Sequence, residues 1–319
     1  MKVQDYLSKD EIRQLTTKSD LRGAWMVMAN WLLIAGAFAL AYRWPNPLTL
    51  VIAILILGGR QLGLSILVHE CGHRSLFATR RLNEICGNWL AGYAVFLDMD
   101  KYAKGHLVHH RTAGTRDDPD LPNYRDYPVD KSSFYRKVWR DLSGQTAMKL
   151  IASLSQGGQD QRSHSSEHGK AHDSERNRKP NPVIRNSLIV NGVMLMLLAV
   201  FAHPALYLLW VVAYLTVYML VLRIRQIAEH ADVPDLYDLD PRKNTRTTYT
   251  NPLTRLLIAP NFVNYHLEHH ILASVPAYHL KRLHHLLKQR GAYEDTPLGD
   301  GYWQIIRQVT RSEPQTTTG

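Results

Sequence analysis

Residues 48–73 read LTLVIAILILGGRQLGLSILVHECGH. Up to Val68 the stretch is almost wholly apolar, broken only by the Gly58-Gly59-Arg60-Gln61 interruption and a few small residues. As a single helix, residues 48–73 would extend ~39 Å at ~1.5 Å per residue. That exceeds the ~30 Å hydrocarbon core of a bilayer, so the closing HECGH emerges just past one membrane surface. Arg60 falls inside the span, where a guanidinium is expected to face the protein interior and a partner there.

Three further runs match this one. Residues 24–42 precede it across a short RWPNP turn, and residues 183–202 and 205–222 form a second pair separated only by His203 and Pro204. The pattern predicts an all-α, multi-pass membrane protein with two transmembrane helical hairpins, four spans in all, and a cytosolic helical cap. Residues 89–97 are apolar but too short to cross, and read as an interfacial or buried segment. The overall 45% hydrophobic content conceals this bunching. If both tight turns face outward, Arg43 is the only lysine or arginine outside, which satisfies the positive-inside rule. The N- and C-termini and both large loops then lie in the cytosol, in the arrangement of a bacterial inner (cytoplasmic) membrane protein.

Residues 1–311 read as a single membrane domain, and residues 312–319 as a mobile tail. The first twenty residues lack the apolar core of a secretory signal. Residues 155–182 are nearly devoid of apolar side chains and read as a polar cytosolic loop. His164, His168 and His172 recur there at four-residue steps, but Gly157, Gly158, Gly169 and the serines oppose a stable helix. The two cysteines, Cys71 and Cys86, form no CxxC pair and imply no disulfide framework. A net charge of +10 without zinc-finger or RNA-binding signatures points away from nucleic acid. Basic loops fit an anionic membrane face or an acidic protein partner instead.

The chemistry is concentrated in histidine. Of sixteen in the chain, eight fall into three boxes: His69-Glu-Cys-Gly-His73, His106-Leu-Val-His109-His110 and His266-Leu-Glu-His269-His270. Spacings of three and four residues place imidazoles on one helical face, and each box follows a span or buried segment on the inner side. The first box alone also matches the zinc-binding HExxH of metalloproteases. A catalytic zinc, however, takes three protein ligands, whereas eight histidines suit two metals, and imidazole suits iron as well as zinc. His230, beyond the fourth span, reaches ~10 Å above the membrane edge if that helix continues, near the height of the first box. Gln226, one turn earlier, points the same way and is a candidate to hold a water on a metal. Glu70, Glu229, Glu268, Asp117 and Asp118 adjoin the boxes, where carboxylates orient imidazole rings. His279, His284 and His285 read as residues of a packing or surface helix.

The three boxes, their order between two hairpins and their spacing resemble the membrane fatty acid desaturase and hydroxylase family, over residues 24 to about 285. Surrounding text such as the Asp117–Asp120 run and NYHLEHH is similar to bacterial acyl-chain desaturases. The resemblance implies a di-iron centre held by His69, His73, His106, His109, His110, His266, His269 and His270, with His230 as the extra histidine the family supplies between its second and third boxes. No catalytic residue beyond the ligands is implied. It further implies O2 as co-substrate, no bound haem or flavin, and a lipid or acyl-chain substrate that is desaturated. Because no HPGG haem motif is present, a separate electron donor, ferredoxin-like or cytochrome b5-like, is implied on the cytosolic face. A related di-iron hydroxylase or ketolase acting on carotenoids or alkanes shares the pattern. An intramembrane zinc protease and a non-enzymatic metal-binding membrane protein are the further alternatives.

Overall fold

The computed structural model describes residues 1–155, 181–294, 296 and 298–311. Nearly all of the expected polar loop, including His164, His168 and His172, and the 312–319 tail lie outside the described residues. In chain order the helices are α1 (Lys9–Leu15), α2 (Asp20–Arg43), α3 (Pro47–Gly72), α4 (Arg80–Ile85), α5 (Met99–Thr112), α6 (Lys131–Leu142), α7 (Gln145–Ser155), α8 (Pro182–Phe201), α9 (Tyr207–Ala213), α10 (Met219–His230), α11 (Pro241–Asn244), α12 (Pro252–Leu257), α13 (His266–Ile271), α14 (Ala277–Gln289) and α15 (Tyr302–Val309). Wide π-helical turns at Cys86–Gly92 and Tyr214–Tyr218 continue α4 and join α9 to α10. The described strands are two residues each, β1 (Val129–Asp130) and β2 (Thr310–Arg311), paired in parallel.

Among the described residues, four helical runs are long and apolar enough to cross a membrane: Asp20–Arg43, Pro47–Gly72, Pro182–Phe201 and Pro204–His230. The protein is an all-α integral membrane protein of two hairpins with a helical cap. Local chemistry fixes the first hairpin turn. The Asn46 side chain accepts from the Thr49 amide at 3.2 Å, the Thr49 hydroxyl accepts from the Asn46 amide, and Pro47 opens α3. Proline is preorganised for a first helical turn whose N–H would be unpaired anyway.

Burial separates α3 from the other spans. Its most apolar window is 72% buried, against 28% for α8, so α3 is the axis and α8 presents Leu188, Met196 and Val200 outward. Glycines allow the close packing around α3: a methyl at Gly59 would lie 2.6 Å from the Leu257 carbonyl oxygen, and one at Gly58 would collide with Val217. Both hairpins continue past their apolar runs. α3 reaches Gly72 with His73 as its cap residue, and the fourth run reaches His230.

Arg60 faces the interior, as expected, and its partners come from far along the chain. It is 4% exposed; its guanidinium donates to the carbonyls of Arg255 (2.9 Å) and Leu256 (2.5 Å) and to the Asn30 side chain (3.4 Å). Those carbonyls belong to the last turn of α12, which has no following helical N–H to pair them, and a cation there also meets the negative end of the helix dipole. Residues 252–257 lie outside the four apolar runs of the sequence. In the fold α12 nonetheless dips beside α3 to the level of Arg60, roughly 13 Å below His69 at ~1.5 Å per residue. A charged donor inside the span makes that descent affordable. Arg60→Met is expected to destabilise the protein by roughly 2–3 kcal/mol, because two buried carbonyls lose a charged donor. Thermal unfolding of the detergent-solubilised protein measures this, and a melting temperature equal to wild type would remove the capping role.

Candidate metal centre

Each histidine reaches the centre on an element whose end is fixed. α3 delivers His69 and His73 at its C-terminus. α5 is capped by Asp98, whose side chain accepts from the Lys101 amide at 3.0 Å, and carries His106, His109 and His110 on its second half. The fourth run ends on His230. α13 is only six residues long and begins with His266. It follows a kink at Asn261 and Phe262, both with positive φ, and the Asn261 side chain anchors the kink by donating to the Gly63 carbonyl at 2.8 Å.

All nine histidines singled out in the sequence come together, in two groups. One comprises His69, His73, His106, His110 and His269; the other comprises His109, His230, His266 and His270. Within each group the candidate ligand atoms lie within 4.8 Å of one another. The boxes do not map one to one onto the groups: the second and third boxes each divide their histidines between the two.

Hydrogen bonds on the far side of the rings fix several tautomers. His230 Nδ1 lies 3.0 Å from the Asn244 carbonyl oxygen, which can only accept, so Nδ1 carries the proton. His109 Nδ1 donates to Asp118 at 2.8 Å, and His266 Nδ1 faces Glu229 at 3.5 Å. In a neutral ring with its proton on Nδ1, Nε2 bears the lone pair. Yet Nε2 of His230 and Nε2 of His266 are 2.9 Å apart, and those of His109 and His270 are 3.3 Å apart. In the five-histidine group the Nε2 atoms of His110 and His269 are 2.9 Å apart, those of His110 and His106 3.0 Å, and the buried Nε2 of His73 has no hydrogen-bond partner among the described residues. In the His230–His266 pair an extra proton does not resolve the repulsion, because burial holds both rings far below the ordinary histidine range. Burial first, and then the neighbouring imidazoles, hold His266, His269 and His270 well below the ordinary histidine range, and burial with His109 nearby brings His73 down to about 4. Neutral rings are the ligand form. Two nitrogens ~2.1 Å from one metal at a right angle would be ~3.0 Å apart, so both groups fit a metal.

A family model described as fatty acid desaturase matches residues 45–302. The chain belongs to the fatty acid desaturase family. It is 25% identical over 269 residues to the dihydrorhizobitoxine desaturase of Bradyrhizobium elkanii, covering 78% of this chain and 70% of that protein. It is also 25% identical over 283 residues to the beta-carotene ketolase of Paracoccus sp. (strain PC1), covering 86% of this chain and 93% of the ketolase.

In this desaturase-family chain the carboxylates beside the boxes divide by what they touch. Asp118 holds His109, Glu229 faces His266 and Glu70 lies 3.0 Å from His69 Nδ1. Two neighbours depart from the expectation. Asp117 is exposed, because the turn after α5 directs it outward. Glu268 accepts instead from His284 (2.6 Å), Tyr293 (2.7 Å) and Thr247, since its position on α13 turns it away from the histidine face toward α14. His284 is accordingly a packing residue, buried, while His285 is exposed. Gln226 is half-buried and lines a small cavity with Tyr124, Glu229, His109, His230 and His266.

Tyr124 was not legible in the sequence. Its hydroxyl donates to Asp118, and its ring stacks on His230 with centroids 4.7 Å apart and planes 21° apart. It thereby braces two members of the four-histidine group at once. Nothing in its surroundings (LPNYRDY) follows a ligand spacing, so only the folded loop reveals it. Asp118→Asn is expected to weaken metal retention roughly 10–100-fold, whereas Asp117→Asn leaves it unchanged. Metal content after graded chelation of the purified protein distinguishes the two, and equal losses would exclude a specific role for Asp118.

Proposed function

We propose that the nine histidines hold two iron ions and that the protein is an O2-dependent desaturase of a lipid acyl chain. The single observation that carries this is the pair of adjoining all-imidazole groups at the C-terminal end of the central span. A lone zinc takes fewer ligands, and an all-nitrogen set suits iron. When bound, the irons supply the dioxygen chemistry that no side chain can provide against an inert methylene.

The chain's own residues set the conditions. Asn244, Asp118 and Glu229 hold the Nδ1 sides of His230, His109 and His266, leaving each Nε2 free to ligate. Tyr102 stacks on His106, with ring centroids 5.5 Å apart, and excludes water from one flank. Most of the imidazoles are buried, which protects a strong oxidant from solvent. Gln226, which lines the small cavity beside His230 and His266, is the proposed holder of a water on the metal of the four-histidine group.

The zinc protease reading is disfavoured by Glu70. A metalloprotease needs this glutamate aimed at the metal-bound water. Here it is 2% exposed and points away from the Nε2 atoms; its oxygens meet His69 Nδ1, the Ser75 hydroxyl (2.9 Å) and the Ala277 amide (2.9 Å). Membrane orientation follows the positive-inside rule, with the histidines and both termini on the cytosolic side of a bacterial inner membrane. Electrons come from a separate acidic donor on that face, ferredoxin-like or cytochrome b5-like.

A second reading is supported by the similarity to a beta-carotene ketolase along nearly that whole protein. Oxygen insertion on a carotenoid ring begins with the same hydrogen removal, within the same frame. Expression in a host with a suitable donor, followed by lipid and pigment profiling, separates the two. The desaturase reading expects new unsaturated acyl chains and two irons per chain by elemental analysis, with both lost or strongly reduced in His109→Ala. Altered carotenoids with an unchanged acyl profile would establish the second reading. One zinc per chain would remove both.

A further inference from the structure

The helical pair α6–α7 is not accounted for by the metal centre. It is joined by Ser143 and by Gly144, whose φ of +80° makes the reversal. Asp141 is fully buried and clamps the pair to the fourth span: Arg223 donates to it through Nε (2.5 Å) and Nη2 (2.8 Å), and Thr146 donates from the next helix (2.5 Å). Below that clamp the turn goes deeper. A methyl on Gly144 would lie 3.8 Å from the Leu215 carbonyl oxygen. Leu215 sits inside the apolar run that ends at Leu222, roughly 10 Å in from its cytosolic end at ~1.5 Å per residue. At its far end α7 returns to the start of the third span, where the Asn181 side chain donates to the Leu154 carbonyl at 3.3 Å.

The surface chemistry follows this path. Phe134, Ala147, Leu150 and Leu154 face inward. Outward, Leu142 is 41%, Met148 58% and Trp139 67% exposed, and α7 carries only one charged residue, Lys149. Arg136 and Arg140 are exposed on α6 at and just above the level where the apolar run of the fourth span ends. Aromatic residues and arginines flanking an apolar tip are the composition of a membrane interface, and arginine stems let their charges rise to headgroup level.

We infer that α6–α7 is a re-entrant wedge: it enters the cytosolic leaflet beside the fourth span, immerses Leu142 and Met148 in hydrocarbon, and engages acidic phospholipid headgroups through Arg136 and Arg140. The lipid is favoured over a protein partner because the tip of the wedge packs beside Leu215 within an apolar run that itself presents Leu208 and Val212 outward. The wedge also leads into the metal-centre loop: Lys137 lies over the Tyr127 ring at 4.3 Å, three residues beyond Tyr124.

The test uses the full-length protein in nanodiscs of phosphatidylcholine with a phosphatidylglycerol fraction, spin-labelled at Leu142→Cys and, separately, at Met148→Cys. Both native cysteines are buried. Each label is expected to collide several-fold more often with O2 than with a water-soluble nickel chelate, as a label at Leu208→Cys does. If Leu142→Cys does not fold, Met148→Cys carries the measurement. A label reached preferentially by the nickel chelate would overturn the wedge, and so would one shielded from both reagents by another protein or a second copy of this chain. For the headgroups, the Arg136→Gln, Arg140→Gln double variant is expected to lose several-fold of its retained phosphatidylglycerol, relative to phosphatidylcholine, by native mass spectrometry. Equal retention would overturn that part of the assignment.

Discussion

Imidazole rings whose lone pairs face one another in a buried space repel unless a cation sits between them. The second group of histidines is bound by that constraint. The Asn244 carbonyl commits the His230 proton to Nδ1, Asp118 does the same for His109, and the opposed Nε2 atoms are left about a hydrogen-bond length from their neighbours. For His230, His266 and His270 burial removes protonation as a remedy, since a charged ring would lose its hydration. The rest of the cap can be understood as the apparatus that brings these rings together in spite of their repulsion and holds their outer edges.

That apparatus is built on α3. It supplies the first two histidines, and its glycines and Arg60 let α12 pack against it below the membrane surface. Arg60 satisfies the last carbonyls of α12, and Asn261 ties the following kink to Gly63. A charged residue within a span is costly unless it is partnered; here the partner is a helix end, and the return is a fixed launching point for the third histidine box. Contacts between residues about 200 positions apart thus set the position of the centre.

The third box needs that support because α13 is too short to be stable alone. Glu268 supplies a second anchor. It is fully buried, and it binds α13 to α14 through His284, to the loop after α14 through Tyr293 and to the strand-like segment before the box through Thr247. A buried carboxylate is tolerable when its acceptor sites are filled, and here three donors fill them. The same logic makes Glu70 structural and takes from it the role that its HExxH context suggests.

The four spans, the inward Arg60, the three boxes and His230 were legible in the sequence, because hydropathy and helical periodicity act locally and each box lies on one helix face. The resemblance carried by those boxes agreed with the family. Which histidines share a group was not legible: the division of the second and third boxes depends on how α5 and α13 cross, a matter of packing rather than spacing. The descent of α12, the bracing by Tyr124 and the turning of Glu268 toward His284 likewise arise from side chains meeting across long stretches of chain. Local pattern fixed what each segment is, and only the tertiary structure decided what it touches.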